Sequence, residues 1–286
     1  MKLIIGLLIV LSSVFGGFVL SHGNLIALFQ PFELLIIAGG AGGAFIIANP
    51  GPVLKGVLKG LPTLLKGAKY SKQSYMDLLA LMYDLFSKAR KEGLMALEND
   101  IEEPEQSEIF KKYPKVLADH HALEFITDYL RLMVGGSMNP FELENLMDLE
   151  LESHHHEVLL PSESVTTVSD GLPGFGIVAA VMGVVITMSA LGEPPEILGA
   201  HIAAALVGTF LGILLAYGFV GPMASALKHR AEDEAKFLAC IKVCIMATLN
   251  GYTPQIAVEF GRKVLPSNVR PGFIELEEHV KQSKKV

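Results

Sequence analysis

Two thiols, Cys240 and Cys244, stand four residues apart, and three consecutive histidines occupy 154–156. A thin set of polar groups (Thr187, Ser189, His201, Thr209 and Tyr217) lies within otherwise apolar stretches. Thiols at i and i+4 share a helix face and could grip a soft metal, but two ligands leave a tetrahedral ion half held. Buried packing is the expectation for them. Adjacent residues on a helix point ~100° apart, so His154, His155 and His156 do not converge on one ion. Between Glu152 and Glu157 they read as a solvated, pH-sensitive surface tract. No metal site is expected. The chain has no phosphate-binding loop, no HExxH pair and no nucleophile elbow, so it is not expected to be an enzyme or to need a cofactor. Hydroxyls in apolar helices commonly bond the carbonyl one turn back. His201, near the end of its stretch, suits an interfacial place better than a proton relay.

The elements that must position these groups are membrane helices. The chain has 286 residues, 51% of them hydrophobic and only 19% charged. The charges are segregated: Leu3–Leu20, Leu34–Leu54, Gly171–Gly192 and Ile197–Leu227 contain no Asp, Glu, Lys or Arg. About 20 helical residues cross the hydrocarbon layer, so four transmembrane helices are predicted. The opening MKLIIGLLIVLSSVFGG mimics a secretory leader, yet a second apolar stretch follows closely, which reads as an uncleaved helix. Lys55, Lys59, Lys66, Lys69 and Lys72 follow the second stretch with no acid among them. Ser21–Glu33 and Gly192–Glu196 carry no Lys or Arg. The positive-inside rule then puts both termini and the segment Lys55–Asp170 in the cytoplasm, where Cys240 and Cys244 stay reduced. The net charge of −7 argues against nucleic-acid binding.

The cytoplasmic part is helical by pattern, with no convincing strand and no internal repeat. Tyr75, Leu78, Leu79, Met82, Leu85 and Phe86 form a helical stripe within Ser74–Glu92, broken at Gly93. A second helix over His121–Val134 stops at Gly135-Gly136. Asn139 and Pro140 read as the cap and first residue of another. Met223–Leu249 reads as one long helix ending at Asn250-Gly251. Pro114, Pro161 and Ser162–Ser169 read as connectors.

Within the spans, small residues are the means of close helix approach. Gly39 and Gly43, and Gly208 and Gly212, form GxxxG pairs, and Gly176, Ala179, Ala180 and Gly183 supply similar spacings in the third span. Bundle packing explains these spacings alone. Pro173 heads the third span and Pro222 ends the fourth, at the same membrane edge if the two run antiparallel. Ala180 and Thr209 fall at similar depth. Ion transport through a bilayer usually needs an intramembrane carboxylate. These spans have none, so either no ion moves or a partner supplies the acid.

The segments LPGFGIVAAVMGVV, VGTFLGILLAYGFVGPMA, YMDLLALMYDLFSKARKEGLMALENDIE, DYLRLMVGG, LNGYTPQIAVEFGRK and FIELEEHV closely resemble the MotA family of flagellar motor stator subunits, along nearly the whole chain. The resemblance implies an all-α membrane protein with four transmembrane helices. A helical cytoplasmic domain lies between helices 2 and 3, and a cytoplasmic helical tail follows helix 4. Its divisions would be residues 1–54, 55–170, 171–222 and 223–286. It implies a ring of five such chains in the bacterial inner membrane around two copies of MotB, each bringing a helix with a proton-carrying aspartate, and glycines that let that helix approach. Pro173 and Pro222 would flank that aspartate, with Ala180, Thr209 and Tyr217 facing the ion path. Arg90 and Glu98 would engage the rotor protein FliG; by the residues alone they are ordinary surface charges. Sodium-type relatives carry Thr where Ala180 stands. A methyl cannot replace the water of Na⁺, so the proton is the expected ion. The alternatives are a sodium-driven stator, a membrane scaffold or a transporter.

Overall fold

The computed structural model describes residues 2–136 and 138–283. Among them the structure is almost entirely helical apart from turns and short loops, with no strand. In order the helices are α1 Lys2–Leu20, α2 Pro31–Ala48, α3 Gly51–Thr63, α4 Lys72–Glu92, α5 Glu98–Glu102, α6 Glu108–Lys111 and α7 Pro114–Leu117. They continue with α8 His120–Gly135, α9 Pro140–Ser189, α10 Pro195–Ile213, a π-helical stretch Leu214–Val220, α11 Gly221–Leu249, α12 Pro254–Val264 and α13 Phe273–Ser283. Two compact units result. One takes the chain up to Gly67 together with Val158–His229, and the other takes Ala68–Glu157 together with the chain from Arg230.

The charge-free parts of four long helices fall in the first unit. Helical segments long and apolar enough to cross a membrane cover Lys2–Leu20, Leu25–Ala48, Pro140–Ser189 and Pro195–Leu249. Their outer faces expose large apolar side chains such as Ile5, Leu8, Leu35, Ile47, Val181 and Leu206, as lipid contact requires. Inside, Ile37, Ala41, Leu172, Ala179 and Ala216 make one buried cluster, and Val57, Leu64, Val165, Ala224 and Leu227 a second.

Three boundaries differ from the sequence reading. The charge-free stretch Leu34–Leu54 is not one helix. Pro50 forces Asn49 into extended backbone (φ −120°, ψ 137°), and the Asn49 amide caps the broken end by donating to the Phe45 carbonyl at 2.8 Å. The chain re-enters a separate helix, α3, whose Val53 and Val57 are buried while Leu58 and Lys59 point outward. Second, Pro161 and Ser162–Ser169 are not connectors but lie inside α9, fifty residues long. The Ser162 and Thr166 hydroxyls bond back to the Leu159 and Ser162 carbonyls, both at 2.9 Å, and Ser162, Ser164, Val165 and Ser169 are buried. Tertiary contacts override the weak helix preference of serine here. Third, Pro114 opens α7, a place where its missing N–H costs nothing.

In the second unit the α4 stripe lies in the core: Tyr75, Leu78, Leu79, Met82, Leu85 and Phe86 are each at most 1% exposed. They pack with Phe125, Ile126, Tyr129 and Leu130 of α8 and with Phe237, Leu238, Ile241 and Ile245 of α11. The punctuation is glycine where φ is positive: Gly93 at 90°, Gly136 at 61° and Gly251 at 83° end helices as expected. Asn139 and Glu142 cap α9 reciprocally, each side chain accepting from the other's backbone N–H at 2.9–3.0 Å. Cys240 and Cys244 are fully buried beneath Gly261 of α12. The hydrogen bond with Cys244 and burial push the Cys240 thiol well above its ordinary range. Both act as packing groups, as expected.

Candidate functional site

The third and fourth spans meet backbone to backbone. A Cβ on Gly212 of α10 would lie 2.8 Å from the Leu172 carbonyl oxygen and 2.9 Å from the Gly176 Cα. One on Gly208 would lie 3.1 Å from Ala179 Cβ, and one on Gly183 would lie 2.7 Å from Ala205 Cβ. Gly176, Gly183, Gly208 and Gly212 are therefore used within the chain to join α9 to α10. Bundle packing accounts for all of them. Gly39 and Gly43 of α2 and Gly174 of α9, by contrast, have nothing within 4 Å.

These contacts can be tested by which substitutions can be rescued. Alanine in place of glycine gains up to ~1 kcal/mol of helix propensity, while overpacking costs about 1–3 kcal/mol. Gly183→Ala should lower the unfolding temperature of the detergent-solubilised protein, and Ala205→Gly should recover much of the loss by removing the opposing Cβ. Gly212→Ala meets only backbone, so no side-chain deletion should rescue it. Equal rescue at both positions would show that the helices simply move apart.

Below this seam the fourth span changes register. Over Leu214–Val220 the ladder widens to π-helix, with the Gly221 N–H on the Ala216 carbonyl, before α-helix resumes. Pro222 stands one residue beyond. Its missing N–H would otherwise close on the Gly218 carbonyl in α-register or on Tyr217 in π-register. The Ala216 carbonyl also accepts the Ser169 hydroxyl of α9 at 3.0 Å, both residues being buried. Gly221 is confined at the same place, where a Cβ would lie 3.0 Å from Ala216 O and 3.1 Å from Ser169 Oγ. Single-turn π-bulges inside α-helices are uncommon and frequent at functional sites. The fourth helix does run on past Pro222, and the π-stretch accommodates the proline.

Pro173 differs from its expected position. It lies deep inside α9 rather than in a first turn, so its N–H is missing from an established ladder. Ala180 and Thr209 sit beside the glycine seam: a Cβ on Gly208 would approach Ala180 N at 3.4 Å, and one on Gly176 would approach Thr209 Cα at 3.4 Å. Both are half-buried. Tyr217 points outward from the π-stretch at 68% exposure, and Pro222 is also exposed. Thr187 bonds back to the Gly183 carbonyl at 2.8 Å and Ser189 to Val185 at 3.1 Å, as expected of hydroxyls in apolar helices. Ser169 was missed by sequence reasoning: one hydroxyl among several in a Ser/Thr-rich segment carries no local mark.

In the second unit Arg90 and Glu98 flank the break at Gly93, Arg90 in the last turn of α4 and Glu98 at the start of α5. Both are exposed. Arg90 edges a hollow of about 270 Å³ whose lining includes Leu94, Met133, Leu249 and Tyr252. Charge and exposed apolar surface (Met95 63%, Tyr252 46%) thus occur together in this region. The histidine tract does diverge, but of the three only His156 is exposed, while His154 and His155 are half-buried. The expected solvated tract is corrected to that extent.

Residues 4–93 match the Motility protein A N-terminal family and residues 118–239 the MotA/TolQ/ExbB proton channel family. Motility protein A of Escherichia coli (strain K12) is 54% identical over 99% of this chain and 96% of its own length. The chemotaxis protein LafT of Vibrio parahaemolyticus is 41% identical over 97% and 98%. Among solved structures, the flagellar MotAB stator complex from Bacillus subtilis aligns with TM-score 0.76 and 26% identity over 94% of this chain and 98% of that one. The C. jejuni MotAB structure shares the fold with TM-score 0.77 at 21% identity, over 93% and 96%. These relatives are motor components rather than enzymes. Identity of this degree, running from one end of the chain to the other and through both units, is more than a shared motif, and the chain belongs to the motility protein A family of flagellar stator subunits.

Proposed function

We propose that this stator subunit conducts protons together with a MotB-type partner, five copies of the chain surrounding two partner helices in the bacterial inner membrane with both termini cytoplasmic. The partner's aspartate carries the proton past Ala180 and Thr209. Pro173, Tyr217 and Pro222 pass its change of charge to α9 and α11. The Arg90–Glu98 face of the second unit then pushes on the rotor protein FliG.

One observation carries the reading. The joined third and fourth spans contain no ionisable carboxylate or amine, yet carry a proline in each helix and a π-stretch tied across by Ser169. That is a transmitting element without its own proton carrier. The solved relative from Bacillus subtilis is a MotAB complex, which supports a partner that brings the carrier. The choice of proton over sodium rests on ligands. Sodium needs several oxygens to replace its water, and Ala180 offers none while Thr209 offers one hydroxyl.

Rotation speed of tethered cells, measured against external Na⁺ and against a protonophore, tests the ion. Speed should be indifferent to Na⁺ and fall to zero with the protonophore. Speed that follows Na⁺ and survives the protonophore would make the stator sodium-driven. Normal rotation after deletion of the gene, with no second stator set present, would remove the motor role altogether.

A further inference from the structure

Three helices of the second unit bring one donor each to a single point. His121 of α8 places Nδ1 2.6 Å from Glu234 Oε1 of α11, and His154 of α9 places Nε2 3.4 Å from the same oxygen. All three donor atoms lie within 4.8 Å of one another. The two imidazole rings meet edge to face with centroids 4.7 Å apart. His154 Nε2 is closed off from solvent and makes no well-formed hydrogen bond among the described residues, with Glu234 Oε1 3.4 Å away. A buried imidazole nitrogen without a well-formed partner is costly, so the position suits a ligand that Nε2 could bind as a neutral ring. Beside the cluster lies a cavity of about 90 Å³ lined by Glu124, Glu150 and Leu151 together with the two histidines. It has room for a water as a fourth ligand.

We infer that His121, His154 and Glu234 form a binding site for a borderline transition-metal cation of the zinc class, which clips α8 to α9 and α11. Two imidazoles and one carboxylate make a donor set that Zn²⁺ accepts with a water in the fourth position. Mg²⁺ and Ca²⁺ want six or more oxygens and find too few here. Bond lengths of ~2.0–2.2 Å set tetrahedral donors roughly 3.3–3.5 Å apart. The His154–Glu234 separation already has that value, and the His121–Glu234 hydrogen bond opens by under 1 Å when the ion enters. The half-exposed His121 can make that adjustment, because its side chain keeps 53% of its surface in water. The site takes only one histidine from the run 154–156, because its neighbours turn away.

The full-length chain, co-purified with its MotB-type partner in detergent and stripped with a chelator, is titrated with Zn²⁺ by calorimetry and melted with and without it. One Zn²⁺ per copy of this chain should bind at micromolar level or tighter and raise the unfolding midpoint by several degrees, while Mg²⁺ does neither. His121→Ala and His154→Ala should each weaken binding at least ~10-fold. His121→Cys, which keeps a ligand atom, should retain binding, and His156→Ala should leave it unchanged. Should His121→Ala lower the midpoint while Zn²⁺ binds wild type and variant alike, the cluster is only a His–Glu ion pair and the inference fails. It fails equally if His156→Ala abolishes binding, since the ion would then sit on the surface tract.

Discussion

Pro222→Leu is expected to leave the stator inserted, assembled and bound to its partner, and to remove most of its torque. Proline inside a helix costs ~3 kcal/mol, so the substitution should strengthen the local ladder. The new N–H can close on the Gly218 carbonyl, and the exposed position accepts leucine without a clash. The effect reaches the π-stretch. A π-bulge holds one extra residue in the helix, and returning it to α-register would turn α11 relative to α10 by ~100° and shift it by ~1.5 Å. Ser169 and Gly221 hold the widened form at the Ala216 carbonyl, while Pro222 withholds the donor that the α-register needs. Removing Pro222 biases this balance toward a straight helix. A pull-down should therefore recover the partner at the normal level while tethered cells turn with little torque. Loss of the complex in step with motility would demote Pro222 to a packing residue.

Pro173→Ala follows similar logic with a changed magnitude. Its position in the interior of α9 means that alanine relieves the full interior penalty, about 3 kcal/mol rather than the small cost of a first turn. The variant should melt at a higher temperature than the parent and still turn the motor poorly. A lower melting temperature would mean that the Pro173 ring is itself a packing group.

Much of this architecture could be read from charge and punctuation. Charge-free stretches located all four spans, because no charged side chain is stable in hydrocarbon without a partner. Gly93, Gly136, Asn139 and Gly251 marked helix ends because each carries a backbone or capping requirement of its own. The misreadings have a common cause: local preference gave way to contacts distant in sequence. Ser162–Ser169 resembles a linker until Ser164 is seen donating to the Asn49 side chain at 2.6 Å and Ser169 to Ala216. Leu214–Val220 is apolar throughout, and nothing in LLAYGFV distinguishes a π-stretch from an α-helix; only Pro222 beyond it hints at a disturbed ladder. Arg90 and Glu98 stood out through family resemblance, since as isolated residues they are ordinary, whereas Pro173 and Pro222 were already marked by their places at the ends of two spans. The His121–His154–Glu234 cluster was invisible because its members are 33 and 80 positions apart in the chain.

Arg90→Glu should stop rotation far more completely than Arg90→Ala. Arg90 is exposed in the last turn of α4, so neither change opens a cavity. A cation near a helix C-terminus contributes about 0.3–1 kcal/mol, and an anion there costs a similar amount, so the folding penalty of reversal stays near 1–2 kcal/mol at an exposed site. The second unit is anchored by the buried α4 stripe and should survive that. Torque is another matter. On the proposed rotor face alanine removes one attraction of the exposed kind, worth about 0–1 kcal/mol, and the apolar surface around Leu94 and Tyr252 stays in place. If the proposed rotor contact sets an acid against Arg90, glutamate adds repulsion there at every step of the cycle. A charge reversal on the rotor side should restore rotation to Arg90→Glu and impair wild type. Glu98→Lys, at the start of α5, should behave as its mirror image and be rescued by the opposite rotor change. Swimming by Arg90→Glu at wild-type speed, with no rotor change, would remove Arg90 from the contact and leave the apolar hollow to carry it.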